Sequence, residues 1–253
     1  MLVTLLTDFG NADGYVAEMK GVLLARCPGV VLVDVTHAVA PGDVAAGAYL
    51  LGRTWRAVPE GTVHLAVVDP GVGSARRLLA AEAGGHRFVA PDNGLLSRAL
   101  DGRPARAVAL TVPPGASPTF HGRDVLAPAA AQLAAGAPLV DIGAGVRDPV
   151  LLPKPRLERR GADLVGEVVH VDRFGTLVTS LPADGVDLGG TVRVAGRGVP
   201  LQTTFADVAS GALVAFVGSG GTVEIAVRDG RADAVTGTGR GAEVRAKAAG
   251  ASG

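Results

Sequence analysis

Up to about residue 150 the chain alternates short runs of Val and Leu with longer amphipathic stretches, and then the alternation stops. Strands separated by helix-length segments specify βαβ units and a sheet with parallel strands. Leu2 to Thr7, Val30 to Val35 and Thr62 to Val68 read as strands. Asp13 to Arg26 reads as a helix with Tyr15, Met19, Val22 and Leu23 on one face, stopped by Cys27-Pro28-Gly29. Asp43 to Val58 reads as a second helix, carrying Val44, Leu50, Leu51 and Trp55. A strand at Arg87 to Ala90, the turn Pro91-Asp92-Asn93-Gly94, a short helix through Leu100 and a helix over Asp124 to Ala135 complete this half. The expectation is an α/β domain over residues 1–152 with a mostly parallel central sheet flanked by helices.

Between Asp148 and Gly161 the periodicity lapses into Pro153, Lys154, Pro155 and a charged run from Arg156 to Arg160, the composition of a linker. Beyond it lie strand-like runs at Leu164 to Val171, Thr191 to Val194, Leu213 to Val217 and Thr222 to Val227, separated by glycine turns. A small all-β domain over 163–253, antiparallel and barrel-like, is expected. The small residues of the tail, Ala246 to Gly253, are expected to fray.

With 253 residues and 48% apolar side chains, the chain has material for real cores. Its 24 basic and 24 acidic residues balance, which argues against nucleic acid or an anionic membrane as partner. The single cysteine, Cys27, excludes an internal disulfide, and no His/Cys cluster has zinc spacing, so no metal is expected. Met1 to Leu6 is too short for a signal segment, and no stretch has the roughly 20 apolar residues of a membrane span. A soluble cytoplasmic protein is the expectation.

Acidic residues directly follow three strands: Asp8 with Asp13, Asp34, and Asp69. Ligands of open α/β sheets sit beyond the carboxyl ends of strands, which makes these residues site candidates; any one of them also serves as a turn or helix cap. Asp8-Phe9-Gly10 does not indicate a kinase, because only seven residues precede it. Gly71-Val72-Gly73 lacks the third glycine of a dinucleotide fingerprint, since Arg76 stands there. Among the histidines, His64 within a strand and His86 in a Gly-Gly turn read as structural or solvated, whereas His121, just before a helix, is a candidate for function.

A set of motifs in order along nearly the whole chain carries a family resemblance: Thr7-Asp8-Phe9-Gly10 with Asp13 and Tyr15, Lys20-Gly21, Val68-Asp69-Pro70-Gly71-Val72-Gly73 with Arg76-Arg77, Pro91-Asp92-Asn93-Gly94, Thr119-Phe120-His121-Gly122-Arg123-Asp124, and Val171-Asp172-Arg173-Phe174-Gly175. Gly218-Ser219-Gly220-Gly221 with Val223 to Val227 matches more loosely. The sequence resembles the S-adenosyl-L-methionine hydrolases (hydroxide adenosyltransferases), relatives of the S-adenosylmethionine-dependent fluorinase and chlorinase. The resemblance implies a homotrimer, each site lying between one subunit's N-terminal domain and a neighbour's C-terminal domain. It implies that Asp69, Arg76 and His121 activate water; the halogenases carry tyrosines at the positions of Asp69 and His121. It further implies that Asp8 holds the ribose hydroxyls, Asp172 and Ser219 the methionine end, and Phe174 the pocket wall, with Glu224 and Val227 near the adenine. Asp13, Phe120, Gly122 and Thr176 complete the implied substrate-binding set. Thr176 stands where the family commonly has Asn, Gly42 where an aromatic often follows the proline, and Gly218, Gly220 and Arg228 also depart.

The expected reaction is attack of water or hydroxide on the 5' carbon of the sulfonium, giving adenosine and L-methionine with no cofactor. Methionine leaves as a neutral thioether, so the leaving group needs no acid; a positioned nucleophile and a proton acceptor are what the site must supply. The alternatives are a halide-dependent nucleosyl transferase and a non-catalytic adenosine or S-adenosylmethionine binding protein.

Overall fold

The computed structural model describes residues 1–102 and 105–250. The chain forms two compact units, Met1–Leu152 and Pro153–Gly253. In the first, β1 (Leu2–Thr7), β2 (Val31–Thr36), β3 (Val63–Val67), β4 (Leu78–Ala83), β5 (His86–Pro91), β6 (Ala105–Ala109) and β7 (Ala144–Val146) form a sheet ordered β2-β1-β3-β5-β4-β6-β7. Its helices are α1 (Tyr15–Arg26), α2 (Val44–Thr54), α3 (Ser97–Leu100) and α4 (Ala127–Ala134). Val3 and Leu5 pack in one core with Met19 and Leu23 of α1 and Leu133 of α4. Leu6 joins a second core with Leu51 of α2, Trp55, Phe88 and Leu95. Successive side chains of a strand point to opposite faces, so a strand covered on both sides must be apolar nearly throughout, as β1 and β3 are.

The sheet is mixed rather than mostly parallel, and its helices are few. Pairings among β2, β1, β3 and β5 are parallel, while those joining β5, β4, β6 and β7 are antiparallel. The cause is a hairpin in which Gly84 and Gly85, at φ +56° and +78°, turn β4 back onto β5. The residues of β4, Leu-Leu-Ala-Ala-Glu-Ala, are helix formers, so pairing on both edges overrides local propensity.

The second unit contains β8 (Leu157–Arg160), β9 (Asp163–Val171), β10 (Leu177–Pro182), β11 (Thr191–Val194), β12 (Arg197–Pro200), β13 (Leu213–Val217), β14 (Thr222–Val227), α5 (Ala232–Thr236) and β15 (Glu243–Lys247). The strands pair antiparallel in the order β12-β11-β15-β9-β10-β14-β13, with β8 added on β9. Gln202 N donates to Ala215 O at 2.8 Å, drawing the chain after β12 onto β13, so the sheet nearly closes into a barrel. Alternation fills it: Val192, Val194, Val244 and Ala246 are buried, while Thr191, Arg193, Arg245 and Lys247 are exposed.

Two local expectations are corrected. The charged run read as linker is largely β8, whose four residues are all exposed; charge on an added outer strand discourages pairing with other chains. Ala246 and Lys247, expected to fray, pair with Leu164 and Asp163 of β9, while residues 251–253 of that tail lie outside the described residues. Among the described residues, no helix is long and apolar enough to cross a membrane.

Candidate active site

Thr7 and Val67 are register partners in the parallel pair β1 and β3. Asp8, the next residue, and Asp69, two residues on, therefore leave the sheet at the same end. A cleft of about 310 Å³ opens there, lined by Asp8, Phe9, Tyr15, Val67, Asp69, Val72, Thr119, Phe120, His121 and Gly122.

Asp69 and Arg76 bracket a tight loop in which Val72 N donates to Asp69 O at 3.2 Å and Ser74 N to Gly71 O at 3.1 Å. The turn folds the guanidinium back onto the carboxylate: Arg76 Nε donates to Asp69 Oδ1 at 2.7 Å and Nη2 donates to Oδ2. The two side chains are 10% and 6% exposed, so this fork is shielded from water. Arg76 Nη2 also lies 3.1 Å from His121 Nδ1. A guanidinium has no acceptor, so Nδ1 accepts, and the neutral ring carries its proton on Nε2. Burial first, and then the Arg76 charge, push the His121 pKa below its usual 6.5, which keeps the ring neutral near pH 7.

His121 reaches this position on a π turn, Gly122–Leu126, that leads into α4. Such turns recur at functional sites, and this one begins two residues before the helix start expected from the sequence. A Cβ at Gly122 would meet Met19 Sδ at 3.3 Å, Phe120 at 3.5 Å and Phe9 at 3.6 Å, so glycine lets these groups converge. Phe9, Tyr15 and Phe120 form an edge-to-face cluster with centroids 5.4 to 6.0 Å apart. The Arg123 guanidinium, held by Glu18 and Asp124, covers Phe120 at 4.9 Å. Asp8 Oδ2 accepts from Gly42 N at 2.7 Å.

Asp69, Arg76, His121, Asp8, Phe120 and Gly122 are thus brought together, whereas Asp13 is exposed in the turn before α1 and does not line the cleft. Asp34 lies within β2 rather than beyond its end, and is engaged elsewhere, 2.6 Å from Lys20 Nζ and 3.0 Å from His37 Nε2. His64 and His86 are both buried, so of the two readings, structural or solvated, the structural one holds for each. Burial, and then His86, push the His64 pKa down to about 3. Phe9, Tyr15, Val72 and Thr119 also line the cleft, outside the set implied from the sequence, and Tyr15, on the helix face it shares with Met19 and Leu23, is half exposed.

The second unit has its own cleft of about 890 Å³, whose lining includes Asp172, Phe174, Thr176, Ser219, Glu224 and Val227. Asp172 Oδ1 accepts from Phe174 N at 2.9 Å and Thr176 N at 2.8 Å, closing a turn through Gly175 at φ +84°. That turn leaves Phe174 76% exposed. Phe205 and Phe216, with centroids 4.6 Å apart, also line the cleft and were not singled out from sequence.

Residues 3–143 match the SAM hydroxide adenosyltransferase N-terminal domain, and residues 166–245 match the C-terminal domain of the same family. The chain belongs to the SAM hydroxide adenosyltransferase family. Within that family it is 46% identical to the (R)-S-adenosyl-L-methionine hydrolase of Thermus thermophilus, covering 96% of this chain and 98% of that one. Identity to a fluorinase of Actinoplanes sp. is 32%, covering 89% and 90%. The crystal structure of an uncharacterized conserved protein from Thermotoga maritima superposes with TM-score 0.89 at 33% identity, covering 97% of this chain and 99% of that one.

Most positions where this adenosyltransferase-family chain departs from the family pattern have local reasons. Gly42 sits at φ +73° while its N–H holds Asp8, and a Cβ there would stand an ordinary 3.5 Å from Pro70. Backbone angle rather than space therefore favours glycine at 42. At Gly218 a Cβ would fall 2.0 Å from Glu224 Oε1, so any side chain there displaces that carboxylate. Buried Thr176 contributes its backbone N–H to the Asp172 turn. Arg228 Nη1 donates to Val208 O at 2.8 Å and Ala206 O at 3.3 Å, bracing the segment that carries Phe205. Nothing in the structure explains Gly220, or threonine in place of asparagine at 176.

Proposed function

We propose that the chain hydrolyses S-adenosyl-L-methionine to adenosine and L-methionine by attack of water at the ribose 5' carbon. The observation that carries the mechanism is the buried Asp69-Arg76-His121 constellation at the carboxyl ends of β1 and β3. Arg76 takes one lone pair from each Asp69 oxygen and leaves others to accept a proton. His121, with Nδ1 accepting from Arg76, has a donor at Nε2. In this scheme Asp69 is therefore the base, and His121 orients the water by donating to it. The water oxygen forms the bond to the 5' carbon, the carbon–sulfur pair departs to sulfur, and the water proton passes to Asp69 and then to solvent. A sulfonium loses its charge as it leaves, so the step needs neither a metal nor an organic cofactor. Asp8 accepts from the ribose hydroxyls with the capacity that Gly42 leaves free. The residues implied from sequence in the second unit's cleft hold the methionine and adenine ends.

Asp69 and His121 favour hydrolysis over halide transfer, as does the higher identity to the hydrolase than to the fluorinase. The substrate is taken to be the (R) epimer at sulfur, the one in the name of the Thermus relative. The proposal includes a cytoplasmic homotrimer in which the first unit's cleft of one subunit meets the second unit's cleft of a neighbour. Exposed apolar side chains in both, Tyr15 and Val72 in one and Phe174 and Phe205 in the other, support that reading.

Turnover of resolved epimers in heavy-oxygen water, with product chromatography, tests the reaction. The expected result is adenosine labelled at its 5'-hydroxyl, from the (R) epimer. Unlabelled adenosine, free adenine, a halogenated nucleoside or unchanged substrate overturns it. Sedimentation tests the assembly, and a fully active monomer would overturn that part alone.

A further inference from the structure

The turn Pro91-Asp92-Asn93-Gly94 lines neither cleft, yet its side chains reach both ends of the loop that carries Asp69 and Arg76. At the first end, Asn93 Nδ2 donates to Val68 O at 2.9 Å, one residue before Asp69. The other end of the same amide, Oδ1, accepts from Leu95 N at 3.2 Å, and Leu95 is fully buried. At the far end, Arg77, the residue after Arg76, is held on Asp92 twice. Its Nε donates to Asp92 Oδ2 at 2.7 Å, and its carbonyl accepts from Asp92 N at 3.0 Å. Asp92 Oδ1 takes Val150 N at 2.7 Å, so this 2% exposed carboxylate has both oxygens engaged.

The intervening loop, residues 69–76, is made of short turns with no strand partner. A two-point fork such as Asp69 with Arg76 holds its geometry only if the backbone roots of the two side chains stay at fixed separation. Adjacent residues of one buried turn clamp the positions just outside each root.

Resting on the reading of Asp69 and Arg76 as catalytic, we propose that Asn93, together with Asp92, is the positioning element of that pair. Asn93 touches no substrate; it sets where the Asp69 carboxylate stands. Displacing a catalytic group by about 1 Å can cost up to a hundredfold in rate, so loss of this clamp acts on kcat rather than on substrate affinity.

Asn93→Asp keeps the oxygen that accepts from Leu95 N but removes the donor to Val68 O, whereas Asn93→Ala removes both. Positioning predicts that each variant lowers kcat by roughly tenfold to a hundredfold while substrate Kd stays within about twofold. A structural role in the turn alone predicts that only Asn93→Ala is impaired, and that result overturns the proposal. Thermal melts and the affinity for adenosine establish that each variant is folded. The deciding arm is a double-mutant cycle with Asp69→Asn. If Asn93 acts through Asp69, then Asn93→Asp adds less than about twofold in the Asp69→Asn background, because coupled sites are non-additive. Multiplicative losses overturn the proposal. Slow Asp69→Asn beside native-rate Asn93→Asp removes this inference and leaves the catalytic reading standing; native-rate Asp69→Asn removes both.

Discussion

The cleft at the strand ends of the first unit keeps its charges buried and paired, with Asp69 and Arg76 locked in a fork and His121 neutral beside them. The cleft of the barrel unit is nearly three times larger and presents its recognition groups on turns, with Phe174 mostly exposed and Asp172 engaged by backbone amides. The difference follows from the role proposed for each. A proton acceptor and its orienting donors work best fixed in advance in a shielded site, where no reorganisation is needed during reaction. Groups that grip the ends of a flexible substrate gain affinity from contact area and tolerate exposure. Changes in the first cleft should therefore move rate, and changes in the second should move affinity.

The largest effect is expected from Asp69→Asn, which keeps shape but removes the negative charge and the proton acceptor. Single-turnover adenosine formation at saturating substrate should slow by on the order of a hundredfold to ten-thousandfold, with substrate Kd and melting temperature near native. Loss of affinity at unchanged rate would erase the contrast between the two clefts.

Next is pH. Protonating His121 would place an N–H on Nδ1 against the Arg76 N–H, breaking the contact that fixes the ring. Because the His121 pKa lies below 6.5, the active neutral form persists as pH falls to that value and is lost only below it. The single-turnover rate should be level from about pH 7.5 to 6.5, then drop by about tenfold per pH unit once past the midpoint, as for one essential proton. A rate that rises as the pH falls through this range would mean that the charged ring is the working form.

Much of this contrast was legible in the residues. Continuous apolar runs marked β1 and β3, and their parallel pairing is what puts Asp8 and Asp69 at the same end of the sheet. Motif order supplied Arg76 and His121, which lie far apart in sequence. The antiparallel half of the first sheet was not legible, because Ala-rich β4 carries a helical propensity that only its neighbours overrule. The π turn at Gly122 was hidden too: it lies against Met19 and Phe9, neighbours from elsewhere in the chain that local periodicity does not show. The place of Tyr15 in the cleft was not legible, because helical spacing puts a residue on a face but does not say whether that face meets core or cleft.

Within the first cleft, Asp8→Ala tests whether a group beside the reacting pair acts on binding. A carboxylate accepting from two vicinal hydroxyls is worth about 1.5 to 3 kcal/mol through charge-assisted hydrogen bonds. The Kd for substrate should rise about tenfold or more, measured by calorimetry on the Asp69→Asn background, where turnover is slow. Part of the loss belongs to Gly42 N, whose partner is removed. Gly42→Ala serves as the control: it strains the backbone at φ +73° but leaves the carboxylate in place. Unchanged affinity in Asp8→Ala would return Asp8 to a purely turn-closing role.

The smallest effect is expected in the barrel unit. Phe174 is 76% exposed, and the hydrogen bond its residue makes to Asp172 comes from the backbone, so Phe174→Ala leaves the turn and the barrel core intact. In the proposed function it removes an aromatic face for the substrate, including its sulfonium. At a partly solvated site such a contact is worth about 0.5 to 1 kcal/mol, which corresponds to a Kd two- to fivefold weaker. Single-turnover rate at saturating substrate should stay within about twofold of native, because the proposed nucleophile and base belong to the first cleft. Methionine and adenosine titrated separately locate the loss on one limb of the substrate or the other. If the saturated rate falls while Kd holds, Phe174 takes part in shaping the reacting centre, and the division between a reacting cleft and a gripping cleft fails at that residue.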